Sequence, residues 1–322
     1  MPQPLTFFME NDNSFTVIIE REQLAQQVSD FAARNIFIGT SSWKYEGWLG
    51  QLYTPERYSY RGKVAKSRFE AGCLEEYAET FRTVCVDAGF YRFPNERYIE
   101  KLSAQVPEGF RLAFKVTDEI TLKNFPHQAR HGERAGKLNR NFLNSDLFTK
   151  AFLTPLSSHR QKIGVLMFEF GHLNKRDFER GRDFVSELDR FLGELPKGWQ
   201  YGVEIRNREF LRAEYFEVLH RHGVSHVFNS WTGMPPVDEQ IVLDGSFTTD
   251  FFTARFLLRP GRKYEEAVKS FAPYESIQDT YPEGREAIRK LSARITKRPS
   301  YLFVNNRFEG NALGTIAGAI RR

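Results

Sequence analysis

Cysteine is nearly missing from this chain: its 322 residues include two, Cys73 and Cys85. That is too few for a disulfide framework or a four-thiolate metal site, and it predicts a reducing, cytoplasmic setting. No stretch approaches the roughly 18 consecutive apolar residues of a membrane span, so a soluble protein is expected. The opening residues, MPQPLTFFMENDNSF, lack the basic patch and long apolar run of a secretory signal. No G-x-G-x-x-G links a first strand to a first helix, and no G-x-S-x-G elbow presents a nucleophilic serine. Charge of one sign is not in large excess either. Lys and Arg number 46 against 41 Asp and Glu, for a formal net charge of +5 and a pI near 9.1. This describes a mixed, solvated surface with a weak bias towards an anionic partner, nucleic acid included.

What is present is alternation. Short β-rich apolar runs recur at 36–42, 83–88, 110–116, 164–170, 201–206, 224–230, 252–258 and 301–306. Between them lie segments with helical periodicity at 70–81, 96–106, 144–156, 176–195, 213–223 and 284–295. Eight such strands with interleaved helices predict an α/β fold, a single (β/α)8 TIM-barrel-like domain with a closed parallel sheet, over residues 35–322. Residues 1–34, with the apolar piece FTVIIE and the helical pattern REQLAQQVSDFAAR, form an N-terminal extension. Two long connections, 43–68 and 117–140, follow strands and therefore rise from the C-terminal mouth of such a barrel, where active sites are built.

Strand side chains alternate between faces. In GVEIR, Val203 and Ile205 share one face while Glu204 and Arg206 share the other. The same split sets Lys115 apart from Phe114, Glu169 from Phe168, and Arg255 from Phe256. Asp87, Asn229, Ser41, Asn305 and Asn306 come late in their runs. The expected result is a polar ring at the carboxyl ends of the strands, made of Asp87, Lys115, Glu169, Glu204, Arg206 and Arg255, with Asn229 and Asn305 as neutral partners. One reading is a set of internal ion pairs that only fills the upper layer of the barrel. The other is a site, because burying several charges is costly and weakly stabilising even when they pair. On that reading Glu169, Glu204, Lys115 and Asp87 are the candidate catalytic groups, with Glu169 and Glu204 dividing acid and base roles. Lys115, Arg206 and Arg255 hold an anionic group or stabilise developing charge.

The loops after the last two strands supply Arg259, Gly261, Arg262 and Lys263, then Arg307 and Gly310, a weak form of the phosphate site that barrels build there. The histidines form no H-E-x-x-H, and no cofactor is expected. A divalent metal on Asp87 or Glu169 would need only one or two carboxylates plus substrate. Trp43, Tyr45, Trp48, Tyr53 and Tyr58 crowd the first mouth loop, either to stack on a sugar or base or to pack as a plug.

The segments IGTSSWKYEGWLGQLYTP, AGFYRFPNERYIEKLSAQVPEGFRLAFKVTDEIT, YGVEIRNREFL and YLFVNNRFEGNA, in this order, resemble the Domain of Unknown Function 72 family. The resemblance runs from Ile36 to the C-terminus and implies a (β/α)8-type barrel. It brings no reaction with it. By matching motif it implies recurrent polar positions at Ser41, Trp43, Tyr91, Arg92, Lys115, Glu204, Arg206, Asn305, Asn306 and Gly310. The chain departs from the family pattern at Glu169 in FEFGHL, at Asn207 where a histidine is usual, and at Phe210 where a tryptophan is usual. The functional expectation is an enzyme or ligand binder for a small anionic substrate, phosphate- or sugar-containing, at the mouth. The alternative is a non-catalytic module for nucleic acid or protein.

Overall fold

The computed structural model describes residues 20–321, so all but the last residue of FTVIIE lies outside the described residues. Eight parallel strands close into a barrel: β1 (Ile36–Thr40), β2 (Thr83–Val86), β3 (Arg111–Lys115), β4 (Ile163–Phe170), β5 (Tyr201–Ile205), β6 (Ser225–Ser230), β7 (Thr253–Phe256) and β8 (Ser300–Val304). Each pairs with its neighbours in the chain, and β8 closes on β1 from Ile36 opposite Ser300 to Thr40 opposite Val304. The strands coincide with the eight apolar runs, but several stop short of the run's carboxyl end. Ser41, Asp87, Arg206 and Asn305 therefore lie just past the last residue of their strands, at the point where the backbone turns out into the mouth loops.

Alternation sorts the apolar residues into two layers. Phe37, Cys85, Ala113, Val165, Met167, Val227, Tyr301 and Phe303 fill the barrel interior. Their neighbours in sequence, such as Ile38, Val84, Phe114, Phe168, Val203 and Phe228, pack outward under the helices. Gly39 falls on the inner face, and a Cβ there would sit 2.1 Å from the Thr83 carbonyl oxygen, so only glycine admits this approach of β1 to β2.

The helices are α1 (Arg21–Ala32), α2 (Lys66–Thr80), α3 (Glu96–Ala104), α4 (145–156), α5 (Gly181–Glu194), α6 (Ala213–His222), α7 (Tyr264–Phe271), α8 (Pro282–Ser292) and α9 (Ala312–Ile320). α5 shows why they form. Phe184, Val185, Leu188, Phe191 and Leu192 recur at helical spacing and bury one stripe against the strands. α3 begins where the Asn95 side chain accepts from the Tyr98 amide at 2.9 Å, and α6 ends on Gly223 at a φ of 66°. α4 widens to a π-helix over Phe148–Leu153, which turns both Phe148 and Phe152 into the core, with their rings stacked 5.5 Å apart. After β6 the only helix before β7 is the four-residue turn Val237–Gln240.

α1 is joined to the barrel. Leu24 and Val28 enter the outer core, and Arg21 Nη1 lies 3.0 Å from the buried Glu76 of α2. Among the described residues no helix is long and apolar enough to cross a membrane.

Candidate functional site

The register of β4 and β5 places Glu169 directly beside Glu204. Neighbouring strands run about 4.8 Å apart, so two inward carboxylates at this level repel unless a cation intervenes. Arg255, reaching in from β7, supplies it. Its Nη1 lies 2.5 Å from Glu169 Oε2 and 2.5 Å from Glu204 Oε2. Lys115 Nζ and Arg206 Nη2 each approach Glu169 Oε2 at 3.0 Å, and Arg206 Nε lies 3.3 Å from Glu204 Oε1. Arg255 Nη2 stands 3.6 Å from Asp87 Oδ1, which also accepts from the Cys85 thiol at 3.6 Å. The structure thus brings all six charged residues of the expected ring into one connected set.

Exposure rises from floor to rim. The Glu204 side chain is 0% exposed, Arg255 2% and Glu169 6%, against 11% for Lys115, 14% for Arg206 and 34% for Asp87. Burial opposes ionisation of Glu169, but Arg206, Lys115 and Arg255 outweigh it and hold the carboxyl well below the usual carboxylate range. Burial likewise disfavours a charged Arg255, and Glu204 and Glu169 overcome it, raising its pKa further. Burial, then Asp87, pushes the Cys85 thiol far up, so it is an inert part of the interior.

Aromatic rings back the two rim cations. Lys115 Nζ lies 3.7 Å from the Phe90 ring centre, and the Arg206 guanidinium 3.7 Å from that of Trp231. Arg130 pairs with Asp118 and faces Phe90 and Tyr91, so the loop after β3 is tied down beside Lys115. Phe90 and Trp231 were not among the expected site residues. Phe90 ends the short 3-10 turn after β2 and Trp231 opens the loop after β6, and only the path of those segments sets each ring against its cation.

The other expected positions divide. Asn229 is fully buried and binds the Ile205 carbonyl at 3.1 Å, while its Oδ1 is unpartnered. Ser41 Oγ, Asn306 Nδ2 and Arg255 Nε are further buried hydrogen-bonding atoms without a protein partner. Asn305 Oδ1 accepts from the Arg307 amide at 2.9 Å and Asn306 Oδ1 from the Ala312 amide at 2.7 Å. Asn306 and Asn311, which accepts from Gly314, thus cap the Ala312 and Gly314 amides of α9, while Asn305 closes the turn before it. Gly310 turns at a φ of 111°, packed under Ser276 and Gln278. Trp43 is buried. Tyr91 is 64% exposed and, with the exposed Arg92, stands on the rim outside the ring. Of the first-loop aromatics, Trp48, Tyr53 and Tyr58 are buried, and Tyr53 and Tyr58 meet Phe69 of α2 edge-on, which is a packing role. Tyr45 is half-buried, and its burial and the nearby Asp87 raise its pKa against the pull of Arg307.

At the position where a histidine was expected, Asn207 makes two bonds to the loop after β4. Its Oδ1 accepts from Leu173 N at 2.7 Å and its Nδ2 donates to Leu173 O at 2.9 Å. Phe210 stacks on Phe184. Among the described residues no group of three or more His, Cys, Asp and Glu could hold a metal ion. Glu169 Oε2 already faces three cations. An open surface groove of about 660 Å³ lies beside Arg82 and Pro107, which precede β2 and β3 at the far end of the barrel, and no ring residue lines it.

Residues 37–321 match the model of a family described as "Protein of unknown function DUF72". The chain belongs to this family. Over 199 residues it is 27% identical to the UPF0759 protein YecE of Escherichia coli strain K12, a match covering 60% of this chain and 58% of that protein. The chain thus aligns with somewhat under two thirds of the length of that curated relative. A DUF72 protein of Thermotoga maritima shares the fold at a TM-score of 0.57 and 21% identity, covering 88% of this chain and 97% of that one. A DUF72 protein of Enterococcus faecalis does so at 0.57 and 15%, covering 89% and 96%. The DUF72 barrel therefore accounts for the scaffold.

Proposed function

We propose that the protein is a barrel enzyme that binds a small hydroxylated anion, a sugar acid or sugar phosphate, at the C-terminal mouth and moves a proton on it. The observation that supports this is an uneven spread of charge within the neutral ring, with an open edge. Lys115, Arg206 and Arg255 carry three positive charges, and the buried carboxylates in contact with them, Glu169 and Glu204, carry two negative ones. The third carboxylate, Asp87, touches the set only through Arg255 and is one-third exposed. Lys115 and Arg206, on the open side, are therefore placed to receive an anion.

On this reading the three acids do different work. Glu169, ionised and engaged by three cations, holds those cations in place and is a poor proton donor. Glu204, with no exposed surface, does the same for the two arginines. Asp87 is the most exposed of the three carboxylates, at 34%, so it is the acid/base group of this reading. The unpartnered Ser41 Oγ and Asn306 Nδ2 suit a ligand rich in hydroxyl groups.

Titration calorimetry with D-glucuronate and D-glucose 6-phosphate on the full chain tests the reading. A charge-assisted contact contributes about 1.5–3 kcal/mol, so Arg206→Met is expected to weaken binding by roughly ten- to a hundredfold. Binding that is the same in the wild type and Arg206→Met would remove the mouth from consideration.

A further inference from the structure

A second cationic pair lies outside the ring. Arg259 and Arg262 follow β7, and both turn onto one carboxylate. Arg259 Nη1 reaches Asp279 Oδ1 and Oδ2 at 3.3 and 3.2 Å, and Arg262 Nη2 also donates to Oδ2. Two guanidiniums against one carboxylate leave a formal charge of +1. Arg262 Nη1 is buried with no partner, so the pair keeps a spare donor beyond those Asp279 uses.

The pair is built without Asp279. Gly261 N donates to Thr232 O at 3.0 Å, and Thr232 Oγ1 donates to Arg262 O at 2.5 Å, which pins the arginine loop to the end of β6. Phe271, at the end of α7, backs the Arg262 guanidinium at 4.9 Å. Asp279 belongs instead to the stretch 272–281, whose backbone is held by Glu309 through the Gln278, Asp279 and Tyr281 amides and by Asn311 and Gln51 on the Tyr274 and Glu275 carbonyls, so that only the Asp279 side chain needs to move. Its side chain is 35% exposed, so it can leave without opening the core.

We propose that Arg259 and Arg262 form a binding site for a phosphate group, with the Asp279 carboxylate as its built-in competitor. The chemistry favours phosphate over a second carboxylate. A dianion neutralises both arginines, and a tetrahedral group can use the forked donors of each guanidinium together with the spare Nη1. The proposal does not rest on the reading of the ring, and the two fail separately.

The test is calorimetric titration of inorganic phosphate, at constant ionic strength, into the full-length wild type, Asp279→Asn, and Asp279→Asn combined with Arg262→Met. Removing an internal competitor raises apparent affinity in proportion to the competent fraction it frees, so Asp279→Asn is expected to bind phosphate roughly tenfold more tightly. Adding Arg262→Met abolishes that gain, whereas Arg206→Met at the mouth leaves it intact. Phosphate affinity that does not rise in Asp279→Asn, or a gain that survives Arg262→Met, overturns the proposal. A readout that leaves Asp279 untouched is the thermal midpoint, taken in an Arg206→Met background so that anion binding at the mouth does not contribute: phosphate raises it in that background and not when Arg259→Met is added. A midpoint that ignores phosphate in that background also overturns the site.

Discussion

Glu204 has no exposed surface and lies against two guanidiniums, so neutralising it strands positive charge inside the barrel. Breaking a buried pair by removing one partner costs about 3–5 kcal/mol. Glu204→Gln is therefore expected to lose stability of that order in denaturant titration; a loss below about 1 kcal/mol, the size of a surface pair, would mean that solvent reaches the ring. Glu169 supplies a pH signature. Its carboxyl sits below the ordinary 4.5 in the folded state, so the unfolded chain binds the extra proton first as pH falls. Its contribution to stability is complete above 4.5 and drains away as pH falls through the lower folded value. Acid unfolding of the wild type should steepen once pH falls below 4.5, and Glu169→Gln should lack this component. Equal acid dependence in the two proteins would contradict an ionised, triply paired Glu169.

At the scale of elements, the mouth is held in shape by loop-to-loop contacts. The paired bonds of Asn207 to both backbone groups of Leu173 tie the loop after β5 to the loop after β4, and Glu209 accepts from the same amide at 2.7 Å. An alanine at this buried position leaves a backbone donor and acceptor unsatisfied, at about 1–3 kcal/mol. Asn207→Ala is expected to lose that stability and to speed amide exchange at Leu173, while exchange in β1 and β8 stays unchanged; unaltered exchange at Leu173 would show that the clamp is dispensable. Alternation made the ring itself readable. Lys115, Glu169, Glu204 and Arg255 each interrupt an apolar run at the parity of the inner face, and a closed barrel brings those positions together whatever the loops do. Phe90, Trp231 and Asp279 could not be read in the same way. Each contact joins a loop residue to a partner 25, 25 and 17–20 positions away along an irregular path that no periodicity describes. Asn207 was visible as a departure from the family motif, but that an amide there would clamp two backbones depended on where Leu173 falls.

For the whole molecule, the barrel is a family scaffold on which a net-neutral ring of six charges sits at the mouth, deepest at Glu204 and most open at Asp87. The inner acids are committed to the cations. The open edge, formed by Lys115, Arg206 and Asp87, is the part with chemistry to spare. The most direct test is a crystal soaked in sodium selenate, a tetrahedral dianion located by its anomalous scattering. The account predicts a selenium peak against Lys115 Nζ and the Arg206 guanidinium, lost in Arg206→Met. A wild-type mouth with no peak, or a peak that persists in Arg206→Met, would contradict it.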